Sequence, residues 1–212
     1  MKPDETARQI LTEVSEKMIE KPIETARTLV RPFRDEDFND FFAFAVQKEQ
    51  QRLSGNPAIS TEKEARKLFA DILSPRHPPR SFAIELKEPG VVVGSFSISV
   101  HPSLSADEAL RDKRGVTLSC ALNEDYWRRG IMTGLLRRAI PWYFEEAGLE
   151  YINTGYFTFN EGSERLQKKV GMKPYREHLF ERDGLRIPTR EMILFREDYL
   201  AEWKAAAQGE NR

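Results

Sequence analysis

Two arginines and a glycine, Arg128-Arg129-Gly130, stand between a strand-like run and a long amphipathic pattern. The run before them, Gly115-Val116-Thr117-Leu118-Ser119-Cys120-Ala121-Leu122, is rich in β-formers and small residues. After them Ile131, Leu135, Leu136, Ala139, Ile140, Tyr143, Phe144 and Ala147 recur at helical spacing. A strand, a basic glycine loop and a helix start aim unpaired backbone N–H groups and the positive end of a helix dipole at one point. An anion is the natural guest there, a pyrophosphate above all. Gly130 permits close backbone approach, the amides from Arg129 to Gly134 face the guest, and Arg128 and Arg129 add charge-assisted contacts. The bland alternative is an ordinary helix start with solvated arginines. A phosphate-hydrolysing P-loop is disfavoured, because Gly130 is not followed by Gly-Lys-Ser/Thr.

A second segment, Asn160-Glu161-Gly162-Ser163-Glu164-Arg165-Leu166-Gln167-Lys168-Lys169-Val170-Gly171-Met172, follows the β-rich run Tyr151 to Phe159. Asn160 is a natural N-cap, Ser163 falls on the first helical turn, and Lys168-Lys169 suits a solvated face. Cys120 has no neighbouring His to activate it, so small apolar filler is the stronger reading and a nucleophile the weaker.

These groups need a scaffold, and the rest of the chain supplies the pattern for one. Residues 4–20 predict a helix with the stripe Ala7, Ile10, Leu11, Val14, Met18 and Ile19, stopped by Pro22. Packing on its own domain is the plainer role for it, a dimerisation arm the other. Thr28 to Phe33 predicts a strand, and Asp35 an N-cap for a helix carrying Phe38, Phe41, Phe42, Ala45 and Val46. Gly55-Asn56-Pro57 breaks the chain. Thr61 and Glu64 have capping-box spacing for a helix with Ala65, Leu68, Phe69 and Ile72 inside. Ser74 to Pro79 predicts a rigid loop, and Ser81–Leu86 and Val91–Val100 a hairpin. His101 to Arg114 predicts a long loop with a helical turn at Asp107 to Leu110. A helix over Ile131 to Ala147 ends at Gly148, with Pro141 expected to kink or weaken it. A strand over Tyr151 to Phe159, a helix over Glu161 to Val170 and a hairpin of Tyr175–Glu181 with Arg190–Phe195 follow, turning at Arg182-Asp183-Gly184. A short tail helix is expected from Asp198. A meander followed by strand–helix–strand crossovers means α+β with a mixed sheet.

The 212 residues suffice for one compact domain. With 40% hydrophobic and 32% charged residues and a formal net charge of −1, nothing draws the chain to nucleic acid or an anionic membrane. The basic cluster of Arg128, Arg129, Arg137 and Arg138 suits the phosphates of a small ligand better than a DNA face. One cysteine excludes an intrachain disulfide and makes the cytoplasm the simplest setting. The acidic start, Met1 to Thr6, does not resemble a signal peptide, and no apolar run approaches membrane-spanning length. His77, His101 and His178 lie far apart, so no metal site is expected.

Taken with Arg27-Thr28-Leu29-Val30-Arg31-Pro32-Phe33-Arg34-Asp35-Glu36-Asp37, the two segments resemble the GNAT acetyltransferase superfamily. They are most similar to its branch of ribosomal-protein N-terminal acetyltransferases. The resemblance covers about residues 25 to 200, leaving 1–24 as a helical extension and 201–212 as a tail. It implies a single-domain α+β fold with a mixed sheet of about seven strands, splayed between the fourth and fifth, and helices on both faces. It implies acetyl-CoA as co-substrate, held by Leu122, Trp127, Arg128, Arg129, Gly130, Ile131, Met132, Thr133, Gly134, Asn160, Ser163 and Lys168. The acceptor would be a small-molecule amine or a peptide N-terminus, and the protein a monomer or homodimer. In that branch a Ser at the place of Ser163 steadies the departing thiolate, whereas many superfamily members use a Tyr where Gln167 stands. The branch often has Glu where Thr117 stands, so Glu85 and Glu191 are the substitute bases to consider. Each is also read as a plain surface carboxylate. A backbone N–H near Ser119 to Ala121 would polarise the carbonyl. Ser163, Cys120 and Glu85 are thus the candidate catalytic residues. The alternative is a non-catalytic acyl-CoA sensor or interaction module of the same fold.

Overall fold

The computed structural model describes residues 3–55, 58–74, 80–100, 107–182 and 184–203. The expected break at Asn56-Pro57, most of the rigid loop before Ser81, the start of the loop at His101 and the turn residue Asp183 lie outside them. The elements are α1 (Pro3–Glu20), β1 (Thr28–Pro32), α2 (Phe38–Ala45), α3 (Lys48–Leu53), α4 (Glu62–Ile72), β2 (Ser81–Leu86) and β3 (Val91–Ser99). Then come β4 (Gly115–Leu122), α5 (Ile131–Glu145), β5 (Tyr151–Phe157), α6 (Glu161–Lys169), β6 (Lys173–Arg182), β7 (Leu185–Phe195) and α7 (Arg196–Asp198), which runs on into a wider turn at Tyr199–Trp203.

Seven strands form one mixed sheet in the order β1-β2-β3-β4-β5-β7-β6. Every neighbouring pair is antiparallel except β4 and β5. Those two pair in parallel only over Gly115–Thr117 against Tyr151–Asn153. Beyond that rung β4 continues to Leu122 and β5 to Phe157 without pairing. The sheet therefore opens as a V, with β4 held by β3 on one side and β5 held by β7 on the other. Backbone groups that a continuous sheet would consume face the gap instead. At the last paired rung the Thr117 hydroxyl donates to Asn153 Oδ1 at 3.2 Å, and Asn153 Nδ2 donates to the Met192 carbonyl at 3.1 Å.

The main core joins α1, α5 and the sheet. Ile10, Leu11, Val14 and Met18 of α1 are buried there, each worth about 1.5–3 kcal/mol. The Tyr143 hydroxyl donates to Met18 Sδ at 3.4 Å, and Trp142 Nε1 donates to the Lys21 carbonyl at 3.0 Å. The N-terminal helix is thus part of the main core. Its expected stripe is corrected at one position: Ile19 is 48% exposed. A second core gathers Phe33, Phe38, Phe41, Phe44 and Phe69, with ring centroids 5.0–5.9 Å apart along the Phe33–Phe41, Phe41–Phe69 and Phe41–Phe44 contacts.

Several local expectations change. Asp37, not Asp35, closes the start of α2: a 3-10 turn over Asp35–Asp37 comes first, and the Arg34 N–H donates to Asp37 Oδ2 at 2.8 Å. The Thr61–Glu64 capping box forms as expected. Asp107 to Leu110 makes the expected single turn, closed by the Arg111 N–H on the Asp107 carbonyl at 2.9 Å. Helix α5 runs through Pro141 unbroken, because Leu135, Ala139, Ile140, Trp142, Tyr143 and Phe144 are all buried along it. The last hairpin is longer than expected, reaching from Lys173 to Phe195.

Candidate active site

The V between β4 and β5 is floored by α5 and flanked by α6, leaving a cleft of about 470 Å³. Ser119, Cys120 and Ala121 line one wall, and Thr154, Gly155 and Tyr156 the other. Asn160, Ser163 and Gln167 of α6 close one side. Ser81, Ser95 and Ser97 stand further along, with the Ser81 and Ser97 hydroxyls 2.9 Å apart.

The basic loop lies where β4 leaves the cleft. Arg128 has φ +60° and Gly130 φ +75°, two left-handed residues separated by one. Such alternation curls consecutive N–H groups into a concave anion nest. The amides of Arg128 and of Gly130 to Thr133 donate to no backbone acceptor among the described residues, whereas the Arg129 N–H closes the turn over Trp127 and Arg128. Gly134 is a correction: its N–H donates to the Gly130 carbonyl at 2.9 Å, so it is spent inside the helix. Beyond the adjoining residues of the chain, no protein atom lies within 4 Å of where a Cβ on Gly130 would sit, so the loop is open on that side. Ile131 and Met132 bury their side chains in the main core and offer only backbone. Trp127 packs against that core and donates Nε1–H to the Leu122 carbonyl at 2.7 Å, which ties the loop to the end of β4. Arg27 braces the loop by donating to the Arg129 carbonyl at 2.9 Å, and the Arg129 guanidinium lies 5.1 Å from the Tyr126 ring centre.

Asn160 holds its own turn. Its Oδ1 accepts from the Ser163 N–H at 3.0 Å and its Nδ2 donates to the Leu53 carbonyl at 3.3 Å. Ser163 Oγ accepts from Gln167 Nε2 at 2.9 Å. Lys168 stands apart from the cleft, paired with Glu164 at 2.7 Å on an exposed face.

Cys120 is not core filler. Its thiol opens into the cleft, where solvent reaches it, yet the surrounding atoms press close enough that burial pushes its pKa up to about 11. At neutral pH it is a thiol, a poor nucleophile. Glu85 is not brought to the cleft. It accepts from Arg31 Nε at 2.5 Å, in a buried cluster where Arg31 also grips Asp37 through two bonds of 2.6 and 2.8 Å. Glu191 is likewise engaged, accepting from Arg176 Nε at 2.7 Å with His178 Nδ1 3.4 Å away. No carboxylate is among the described residues that line the cleft.

Helix α3 has no counterpart in the sequence pattern, since Lys48-Glu49-Gln50-Gln51-Arg52-Leu53 shows no apolar period. Tertiary contacts decide it. Gln47 Nε2 donates to Asn123 Oδ1 at 2.9 Å, Gln47 Oε1 accepts from the Glu124 N–H at 2.8 Å, and Glu124 Oε1 accepts from the Gln50 N–H at 3.0 Å. At its other end Arg182 donates to the Gln51 carbonyl at 3.1 Å and to that of Ser54. The strap thus spans from the residues before the basic loop to the start of α6 and the last hairpin.

A sheet split between two parallel strands, with a basic amide nest in the loop that follows β4, defines the class of acyl-carrier-dependent acetyltransferases. The profile of the acetyltransferase (GNAT) domain family matches residues 27–173, and the chain belongs to that family. It is therefore an acetyl-transferring enzyme of a family that uses acetyl-CoA. Among curated relatives it is similar to the uncharacterized N-acetyltransferase YoaA of Bacillus subtilis (strain 168), with 26% identity over 155 residues, 71% of this chain and 82% of that protein. Among solved structures, a GNAT-family acetyltransferase from Bacillus anthracis shares the fold with TM-score 0.70 and 15% identity, covering 82% of this chain and 98% of that one. Spermidine N-acetyltransferase from Vibrio cholerae, solved with CoA and spermine, does so with TM-score 0.64 and 13% identity, covering 83% and 99%. No helix among the described residues is long and apolar enough to cross a membrane.

Proposed function

We propose that the chain moves an acetyl group from acetyl-CoA to a primary amine by direct attack within a ternary complex. The observation that carries this is the set of amides of Arg128 and Gly130 to Thr133, without backbone acceptors among the described residues, in the loop that follows β4 out of the cleft wall. The pyrophosphate of the co-substrate fits that nest, with Arg128 and Arg129 adding charge. The extended arm of the co-substrate fits the gap, where both strand edges lack partners and can take its amides. The thioester then lies beside Ser119 to Ala121, whose backbone can polarise the carbonyl. The Ser163 hydroxyl supports the departing sulfur. Holding the two reactants together supplies most of the rate.

The acceptor follows from what the cleft lacks. With no carboxylate among its described lining residues, water is left to take the proton from the incoming ammonium. An α-amine, with an ordinary pKa of about 7.7–8.0, keeps roughly a tenth to a sixth of its molecules neutral near pH 7, whereas a lysine-like amine at about 10.4 keeps fewer than about one in a thousand. The described residues at the serine-rich far end of the cleft also include no carboxylate to pair with a second positive charge. A peptide N-terminus, or a small α-amine without further cations, fits better than a polyamine. Isothermal titration with acetyl-CoA, then a thiol-release screen of peptides, amino acids, polyamines and aminoglycosides, tests this. Binding with turnover of α-amines is expected. No binding at millimolar acetyl-CoA refutes the function, and a preference for polyamines refutes the acceptor class.

A further inference from the structure

Gln167 sits one turn after Ser163 on α6 and is 4% exposed. Its Nε2 lies 2.9 Å from Ser163 Oγ and 3.4 Å from the Gly155 carbonyl oxygen. A carbonyl only accepts, so the nitrogen of the Gln167 amide must face this side. Its two hydrogens are thereby directed, one to Gly155 and one to Ser163. Ser163 Oγ is an acceptor in this pair, and its own hydrogen has to point elsewhere. The Ser163 backbone is fixed as well, since its N–H is held by Asn160 Oδ1. The other end of the amide is poorly served: Gln167 Oε1 is buried with no hydrogen-bond partner among the described residues. An orphaned buried acceptor is destabilising, and a leucine would fill the same space without it. A polar side chain is kept here although its one short bond leads to Ser163.

We propose that Gln167 is a positioning residue that fixes the Ser163 hydroxyl as an acceptor on the α6 side and so turns its hydrogen into the cleft, toward the leaving sulfur. The inference rests on the acetyl-CoA reading above. As the amine lone pair forms the C–N bond, the C–S bond breaks and sulfur leaves with the electron pair. Ser163 hydrogen-bonds that thiolate as it forms, and the proton released by the new amide nitrogen reaches the sulfur through water. Amine and thioester become amide and thiol, with no charge left on the protein. Neither Gln167 nor Ser163 titrates in the working range, so this aim is constant with pH.

The test reads the thiol of CoA bound to the full chain, through the ultraviolet absorbance of its thiolate, alongside steady-state kinetics and thermal melting. A hydroxyl donating to the thiolate should lower the ionisation pH of bound CoA below that of free CoA. Gln167→Leu should undo this, changing the ionisation constant about tenfold, and should lower kcat about tenfold with KM for acetyl-CoA nearly unchanged. Ser163→Ala should do the same, and the double variant should lose no more than either single one. Gln167→Glu should track the wild type at low pH and lose activity as the new carboxyl ionises, because a carboxylate would capture the Ser163 hydrogen. That variant also decides the matter if Gln167→Leu does not fold. Unshifted ionisation in Gln167→Leu, or losses that multiply in the double variant, overturns the inference alone. Failure of CoA to bind the wild type overturns the acetyl-CoA reading and this inference with it.

Discussion

Replacing Gly130 with valine separates the backbone of the basic loop from its charges. Gly130 caps α5 with φ +75° and ψ 0°. Beyond the adjoining residues of the chain, a Cβ there meets no protein atom within 4 Å, so the folded state bears only the left-handed strain, about 1–2 kcal/mol and nearer the upper figure for a β-branched residue. Against a typical total stability of about 5–15 kcal/mol the fold survives. For a chain of this size the melting temperature should fall by roughly 4–8 °C. Binding should suffer far more. If the loop keeps its shape, the valine methyls occupy the open side of the nest; if it relaxes, the amides turn away. Losing two charge-assisted amide–phosphate bonds, each about 1.5–3 kcal/mol, weakens acetyl-CoA binding by roughly a hundredfold or more. Arg128→Ala should weaken it by less than about tenfold, with a shallower salt dependence, because an exposed ion pair contributes about 0–1 kcal/mol. Arg128→Gly should behave likewise yet raise stability by about 1 kcal/mol, since Arg128 bears φ +60°. Isothermal titration at two salt concentrations, paired with thermal melting, measures all three. Acetyl-CoA binding by Gly130→Val as tight as by the wild type would show that the pyrophosphate lies elsewhere, and the site would fail with it.

Cys120→Ala should keep kcat within about threefold, because a thiol pushed up to about 11 is protonated at working pH; loss of all thiol release would make it a nucleophile after all. Glu85→Gln should likewise spare kcat in the same assay, since its carboxylate pairs with Arg31 away from the cleft, and a collapse of turnover with an unchanged melting temperature would restore it as the base. Burial alone would raise the Asp37 carboxyl, but hydrogen bonds from Arg31 and the Arg34 N–H overcome this and hold it below the usual carboxylate range. Its contribution to stability is therefore whole above about pH 5 and fades as the pH falls below about 4, through the depressed folded value. Asp37→Asn should lose about 3 kcal/mol at neutral pH, read by denaturant unfolding, and flatten the acid limb of the stability curve; an unchanged acid limb would show that the pair is silent.

The periodicities of the chain were enough to determine most of its elements. Alternation drew β2 and β3, the 3.6-residue stripe drew α1 and α5, and Thr61 with Glu64 marked the start of α4. The basic glycine loop was equally legible, because a strand feeding Arg128-Arg129-Gly130 into an amphipathic run leaves amides free wherever it occurs. What one dimension does not carry is which groups meet. Glu85 looked available until Arg31 and Asp37 enclosed it, and Glu191 until Arg176 did. Cys120 looked like filler because its small apolar side chain sits on a strand; only the parting of β4 from β5 after Thr117 puts it on a cleft wall. Helix α3 has no apolar period, and forms because Glu124 receives the Gln50 N–H and Arg182 takes the Gln51 carbonyl. Local sequence sets backbone preference and solvent-facing pattern over a few residues. Pairing of Arg31 with Glu85 and the opening of a sheet depend on partners tens of residues away, and only the folded chain brings those together.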